Sequence, residues 1–135
     1  MKKQRKVLSL VLSFGLMLSV SLPAGVQAAE EQDGIAILYT NDVHCTNDEG
    51  MSYAAIAQAK ADAQASYGEN NVTLVDNGDA IQGAAMGTLS NGSWLIDIMN
   101  QVGYDYAIPG NHEFDFGMDN FLNKLVPQAK CTYLS

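Results

Sequence analysis

Three short polar clusters each follow directly on an apolar run, and their spacing constrains the fold more than any other feature. They are "NDVH" (41–44), "NGDAIQG" (77–83) and "GNHEFD" (110–115). Asp42 to Asp79 is 37 residues and Asp79 to Asn111 is 32. Each interval is close to one strand–helix–strand unit, which takes roughly 30 residues or more. The apolar runs before the clusters, "IAILYT" (35–40), "VTLVDN" (72–77) and "DYAI" (105–108), read as strands, the first as one covered on both faces. "CTYLS" (131–135) starts a fourth.

Helical patterns fill the gaps. Residues 52–68 are alanine-rich, open at the N-cap candidate Ser52 and stop at Gly68. Leu95, Ile98, Met99 and Val102 recur at i, i+3, i+4, i+7, after the cap candidate Ser93 and before Gly103. Phe121, Leu122 and Leu125 mark a third helix, which Pro127 is expected to end. The order β-α-β-α-β-α-β predicts an α/β fold with a parallel sheet and right-handed crossovers. All three clusters then emerge at the carboxyl ends of neighbouring strands, the edge where open α/β sheets bind ligands.

The N-terminus stands apart. "MKKQRK" is basic, the stretch after it is apolar but shorter than the ~20 residues of a spanning helix, Pro23 closes it, and "VQA" ends at Ala28. Residues 1–28 therefore read as a signal peptide and 29–34 as an acidic lead-in. The expected destination is extracytoplasmic (periplasm, cell wall or medium), without stable membrane insertion after cleavage. Cleavage leaves Lys60, Lys124 and Lys130 against fifteen acids. Such a surface argues against nucleic acid as a partner, since backbone phosphates need basic contacts. It also repels a phosphate substrate unless metal ions supply the positive charge. Cys45 and Cys131 are expected at opposite ends of a parallel sheet and hence unpaired. Cys45 is read as a small buried residue rather than a metal ligand.

The clusters carry a donor set for metal ions. Asp42 and His44 are two apart, and in a regular strand i and i+2 face the same way. Asp79 comes from the next strand end, and a carboxylate with two oxygens can bridge two cations. Asn111 offers a neutral carbonyl to the second. Mixed oxygen and nitrogen ligation suits Zn, Mn, Fe or Co better than Ca. Two such ions about 3.5–4 Å apart clamp a phosphate and raise the acidity of a water. His112 is then free as a general acid toward the leaving oxygen, with Asp115 to orient its imidazole. Glu113 and Phe114 are read as structural. Singly, each cluster has an ordinary reading as a solvated turn or a helix cap; together and in register they point to a metal site.

"YTNDVH", "DNGDAIQG" and "IPGNHEFDFG" resemble the first three signature blocks of the calcineurin-like metallophosphoesterases, most closely the secreted 5′-nucleotidase and 2′,3′-cyclic-nucleotide phosphodiesterase group. The resemblance covers residues 35–135. It implies a four-layer α/β/β/α sandwich, of which this chain is the first half, truncated inside the metal domain. It also implies two divalent ions, with Asp42 and His44 on the first, Asp79 bridging, Asn111 on the second, and His112 with Asp115 as the catalytic dyad. The later histidines and the nucleoside-binding domain of that family are not in this sequence. The chain alone is therefore expected to be weak or inactive, to need the missing C-terminal part, and to expose the sheet face that a second sheet covers. The alternatives are a non-catalytic exported metal- or phosphate-binding module, a structural piece completed by a second polypeptide, and a UDP-sugar or other phosphoester hydrolase on the same scaffold.

Overall fold

The computed structural model describes residues 32–45 and 52–134. The expected signal peptide and the first half of the acidic lead-in lie outside them. Four parallel strands form one sheet in the order β1-β2-β3-β4: β1 (Ala36–Thr40), β2 (Val72–Asp76), β3 (Tyr106–Ala107) and β4 (Thr132–Tyr133). The register pairs Thr40 with Asp76 and Asp76 with Ala107, so the first three strands end level with one another.

Between strands run α1 (Tyr53–Tyr67), α2 (Ala85–Ser90) and α3 (Ser93–Val102). A last helix, here α4, joins Met118–Asn120, a π turn at Phe121–Leu125 and Val126–Gln128. Ser52 caps α1 as its sequence position suggests, its hydroxyl accepting from the Ala55 amide at 3.3 Å. Gly68 and Gly103 close α1 and α3 at positive φ.

Other boundaries differ from expectation. Gly92, with φ 87°, and not Ser93, precedes α3, and Ser93 is its first helical residue. Pro127 does not end the last helix, which runs on to Gln128. Two residues earlier the π turn shifts the bonding to i→i+5, with the Val126 amide donating to the Phe121 carbonyl. The short α2 had no periodic signal. "NHE" does not cap α4: His112–Phe114 forms its own 3₁₀ turn, and Gly117 precedes α4.

The core lies on one side of the sheet. Leu74, Ala107 and Cys131 pack there with Tyr53 and Ile56 of α1, Leu95, Ile96 and Met99 of α3, and Phe121 and Leu125 of α4. Each fully buried Leu, Ile or Met side chain contributes about 1.5–3 kcal/mol by leaving water. The strand order explains the one-sidedness: it never reverses, and successive right-handed crossovers in one direction stack on the same face.

The opposite face is bare among the described residues, which corrects the reading of β1 as covered on both sides. Ile37 is 63% and Tyr39 71% exposed, and Tyr106, Ile108 and Leu134 are exposed along the same face. An exposed apolar sheet face is the one expected of a half-sandwich. Cys45 and Cys131 are buried and unpaired. Among the described residues no helix is long and apolar enough to cross a membrane.

Candidate metal centre

The site is built by loops that leave β1, β2 and β3 at the same edge. β1 stops at Thr40, so Asp42 and His44 are not strand neighbours as the i, i+2 argument assumed. Their convergence comes from left-handed backbone instead, with φ 61° at Asp42, 49° at His44 and 57° at Cys45. Asp79 is left-handed too, at 60°. Each such residue costs about 1–2 kcal/mol, and local strain of this kind gathers where function over-determines the backbone. Of five non-glycine residues with positive φ among those described, four lie in these two loops.

What holds them is a continuation of the β1–β2 pairing. The Asp42, His44 and Cys45 amides donate to the carbonyls of Gly78, Asp79 and Ala80 at 3.0, 2.9 and 2.9 Å. Two glycines permit the close approach of the second and third loops. A Cβ at Gly78 would lie 2.6 Å from the Gly110 nitrogen, and one at Gly110 would overlap the Asp79 carboxyl.

The result brings together Asp42, His44 and Asp79, with one ligand atom from each within 4.8 Å of the others. His44 Nε2 is 3.0 Å from Asp42 Oδ1. On its other side Nδ1 is 3.1 Å from the Gln82 carbonyl and 3.2 Å from the Gln82 side-chain oxygen. A carbonyl only accepts, so Nδ1 donates to Gln82; a cation held between Asp42 and His44 would take the place of a proton at Nε2. Two carboxylates and an imidazole whose Nδ1 is taken up by a carbonyl suit a divalent cation such as Zn or Mn. The part of Gln82 had no sequence signal, because its backbone oxygen does most of the orienting.

His112 stands beside this group, its ring 4.9 Å from that of His44, edge to face. The Asp115 carboxylate accepts from His112 Nδ1 at 2.8 Å. That bond, against a smaller opposing effect of desolvation, raises the His112 pKa above the ordinary histidine value; the charges of Asp115, Asp79 and Asp42 add to it. Both side chains remain about one-third open to solvent. Asn111 is exposed at the lip immediately before His112. The His112 amide donates to Asp79 Oδ1 at 2.8 Å, joining the third loop to the second.

Beneath the loops lie two buried acids. Glu113 accepts from backbone amides, as its structural reading allows, though nothing local showed which ones. Asp76 accepts from the Thr40 hydroxyl at 2.8 Å and the Gly78 amide at 3.1 Å, and Thr40 also meets the Tyr104 hydroxyl at 3.0 Å. Burial pushes the Asp76 carboxyl up to about 6 despite these bonds. The paired cation Lys60 sits at the other edge of the sheet, bonded to the Gly103 carbonyl and, at 2.9 Å, to Asp105.

Comparison with known proteins gives the family and the fold. The calcineurin-like phosphoesterase family model matches residues 35–132. The chain belongs to that family. A 5′-nucleotidase of Homo sapiens is 33% identical over 113 residues, covering 75% of this chain and 20% of the relative. Among solved structures, the NAD nucleotidase of Haemophilus influenzae aligns with a TM-score of 0.65 at 29% identity, over 73% of this chain and 20% of that one. The calcineurin-like phosphoesterase YfkN of Bacillus subtilis aligns with a TM-score of 0.57 at 29% identity, over 73% and 35%. This chain spans about a fifth of the length of the curated 5′-nucleotidases it matches. The parallel four-strand sheet of this calcineurin-like phosphoesterase is thus the one its structural neighbours share.

Proposed function

We propose that this chain carries the first half of the dinuclear metal centre of an exported phosphoester hydrolase that acts on nucleotides. The observation that carries the reading is the convergence of Asp42, His44 and Asp79 beside the His112–Asp115 pair. Asp42 and His44 would hold one divalent ion, Asp79 would bridge, and Asn111 would reach the second. The bound ions would supply the positive charge and Lewis acidity that an acidic protein lacks.

The chain's own residues do the rest. Gln82 orients the His44 ring through Nδ1, and the second loop holds the Asp42–His44 loop in place through three backbone bonds. Asp115 occupies His112 Nδ1, which leaves Nε2 to donate a proton to the leaving oxygen. The raised pKa keeps the acid form of His112 present to higher pH than an unperturbed imidazole would allow. Nucleotides are favoured as substrates by the family match and by relatives named 5′-nucleotidase and NAD nucleotidase. Extracytoplasmic action rests on the signal-like residues 1–28.

Titration calorimetry with Mn²⁺ and Zn²⁺ tests the centre, alongside hydrolysis of 5′-AMP and of an aryl phosphate. Metal binding that Asp79→Asn abolishes, with weak turnover by the chain alone, is the expected result. No metal binding by the wild-type chain would sink the centre. Full-rate turnover would sink the idea that its second half lies outside this chain.

A further inference from the structure

Glu113 is 1% exposed, between His112 and Phe114 in the 3₁₀ turn. Its carboxylate meets no side-chain cation among the described residues; it meets four backbone amides instead. Oε1 accepts from Ala80 at 2.8 Å and Ile81 at 3.4 Å. Oε2 accepts from Asp79 at 2.8 Å and Gly110 at 2.6 Å. One oxygen therefore straddles the second and third loops. The exchange is reciprocal, because Asp79 Oδ1 accepts from the His112 amide at 2.8 Å. Each loop donates an amide to the acid of the other.

This clasp acts where the backbone needs holding. Asp79 is left-handed at φ 60°, and its amide is one of the four that Glu113 accepts. The next two amides of that loop are taken by the other oxygen, so three successive N–H groups are fixed by one side chain. The third loop is fixed at Gly110, one residue before Asn111.

We infer that Glu113 is a positioning residue for the metal centre, setting the distance and orientation between the Asp79 loop and the Asn111–His112 loop. The inference rests on the reading of Asp79 as a metal ligand. A carboxylate offers about four acceptor sites, and four amides fill them. A glutamine offers one oxygen and an NH₂ group, so a donor would face either the Asp79–Gly110 pair or the Ala80–Ile81 pair. Shape is kept while half the clasp is lost.

Two measurements on the full chain test this, with Glu113→Gln beside Leu125→Ala, a core variant in α4 that makes no hydrogen bond to the clasp and controls for lost stability. In metal-free protein, amide exchange at Asp79, Ala80 and Gly110 should speed up at least about tenfold in Glu113→Gln relative to Leu74. Co²⁺ is then titrated while its visible d–d band is recorded. Loss of a residue that orients ligands typically weakens metal binding about 10–100-fold. Glu113→Gln should show that loss and a shifted band, whereas Leu125→Ala should keep the wild-type band and affinity. An unchanged band with affinity within about twofold in Glu113→Gln would overturn the inference, as would an equal loss in Leu125→Ala. Failure of the wild-type chain to bind Co²⁺ would overturn the metal centre itself and the positioning role with it.

Discussion

The buried carboxyl of Asp76 makes a quantitative prediction about stability and pH. Asp76 is 2% exposed, and its desolvation outweighs the hydrogen bonds from Thr40 and Gly78, so it titrates near 6 in the folded chain. In the unfolded chain it titrates near the ordinary aspartate value of 3.8. Between those values the unfolded state has shed a proton that the folded state keeps. Raising the pH through this window therefore favours unfolding. A gap of about two pH units corresponds to about 3 kcal/mol, present as stability below the lower pKa and lost by neutral pH.

Asp76→Asn imitates the protonated form. Its oxygen can accept from the Gly78 amide, and its NH₂ can donate to the Thr40 hydroxyl, which then donates to Tyr104. The folded value of about 6 already includes the bonds to the charged form, so the net expectation is about 2–3 kcal/mol of added stability at pH 7.5 and less than about 1 kcal/mol at pH 4. Urea unfolding from pH 4 to 8, with the slope m held common, measures it. The wild-type curve should fall relative to the variant between about pH 4 and 6 and then run parallel. Parallel curves over the whole range, or a variant less stable than wild type at pH 7.5, would refute the reasoning.

Other perturbations follow from the same geometry. On the proposed hydrolase reading, His112→Asn should take the weak phosphoester turnover of the chain down to background while leaving metal affinity nearly unchanged, as kinetics and calorimetry would show. Asp115→Asn should lower the His112 pKa, because the Asp115 bond is the first cause of its rise; the basic limb of the pH–rate profile should move to lower pH. Gly110→Ala would drive a methyl group into the Asp79 carboxyl, and metal affinity should fall at least tenfold by titration calorimetry. Lys60→Met removes a buried ammonium from the Gly103 carbonyl and Asp105. Asp105 stays partly solvated and still accepts from the Leu74 amide, so the loss in urea unfolding should be about 1–3 kcal/mol and should not reach the metal site.

The strand–helix alternation and the shared edge of the three clusters were legible because their causes are local. Periodicity, Ser52, Gly68 and Gly103 act within a turn or two of themselves. Parallel pairing of consecutive strands then follows from the length of each crossover. The His112–Asp115 contact was legible for the same reason, since three residues of one turn separate them.

Less local features went unread. The approach of Asp42 to His44 was expected from strand alternation, but a left-handed loop produces it, and only the Gly78–Ala80 carbonyls beneath make that conformation tenable. The helix through Pro127 depends on a π turn whose bonding is set by packing of Phe121 and Leu125.

The alternation of strands with their main helices, the edge at which the chemistry gathers and the types of donor available there are all written locally along the chain. Long-range contacts set which face of the sheet stays bare, which carbonyl orients the His44 ring, how high Asp76 titrates and what Glu113 holds. The physical reason is distance along the chain. A buried carboxylate must find its donors wherever the fold presents them, and those of Glu113 in the Asp79 loop lie more than thirty residues away.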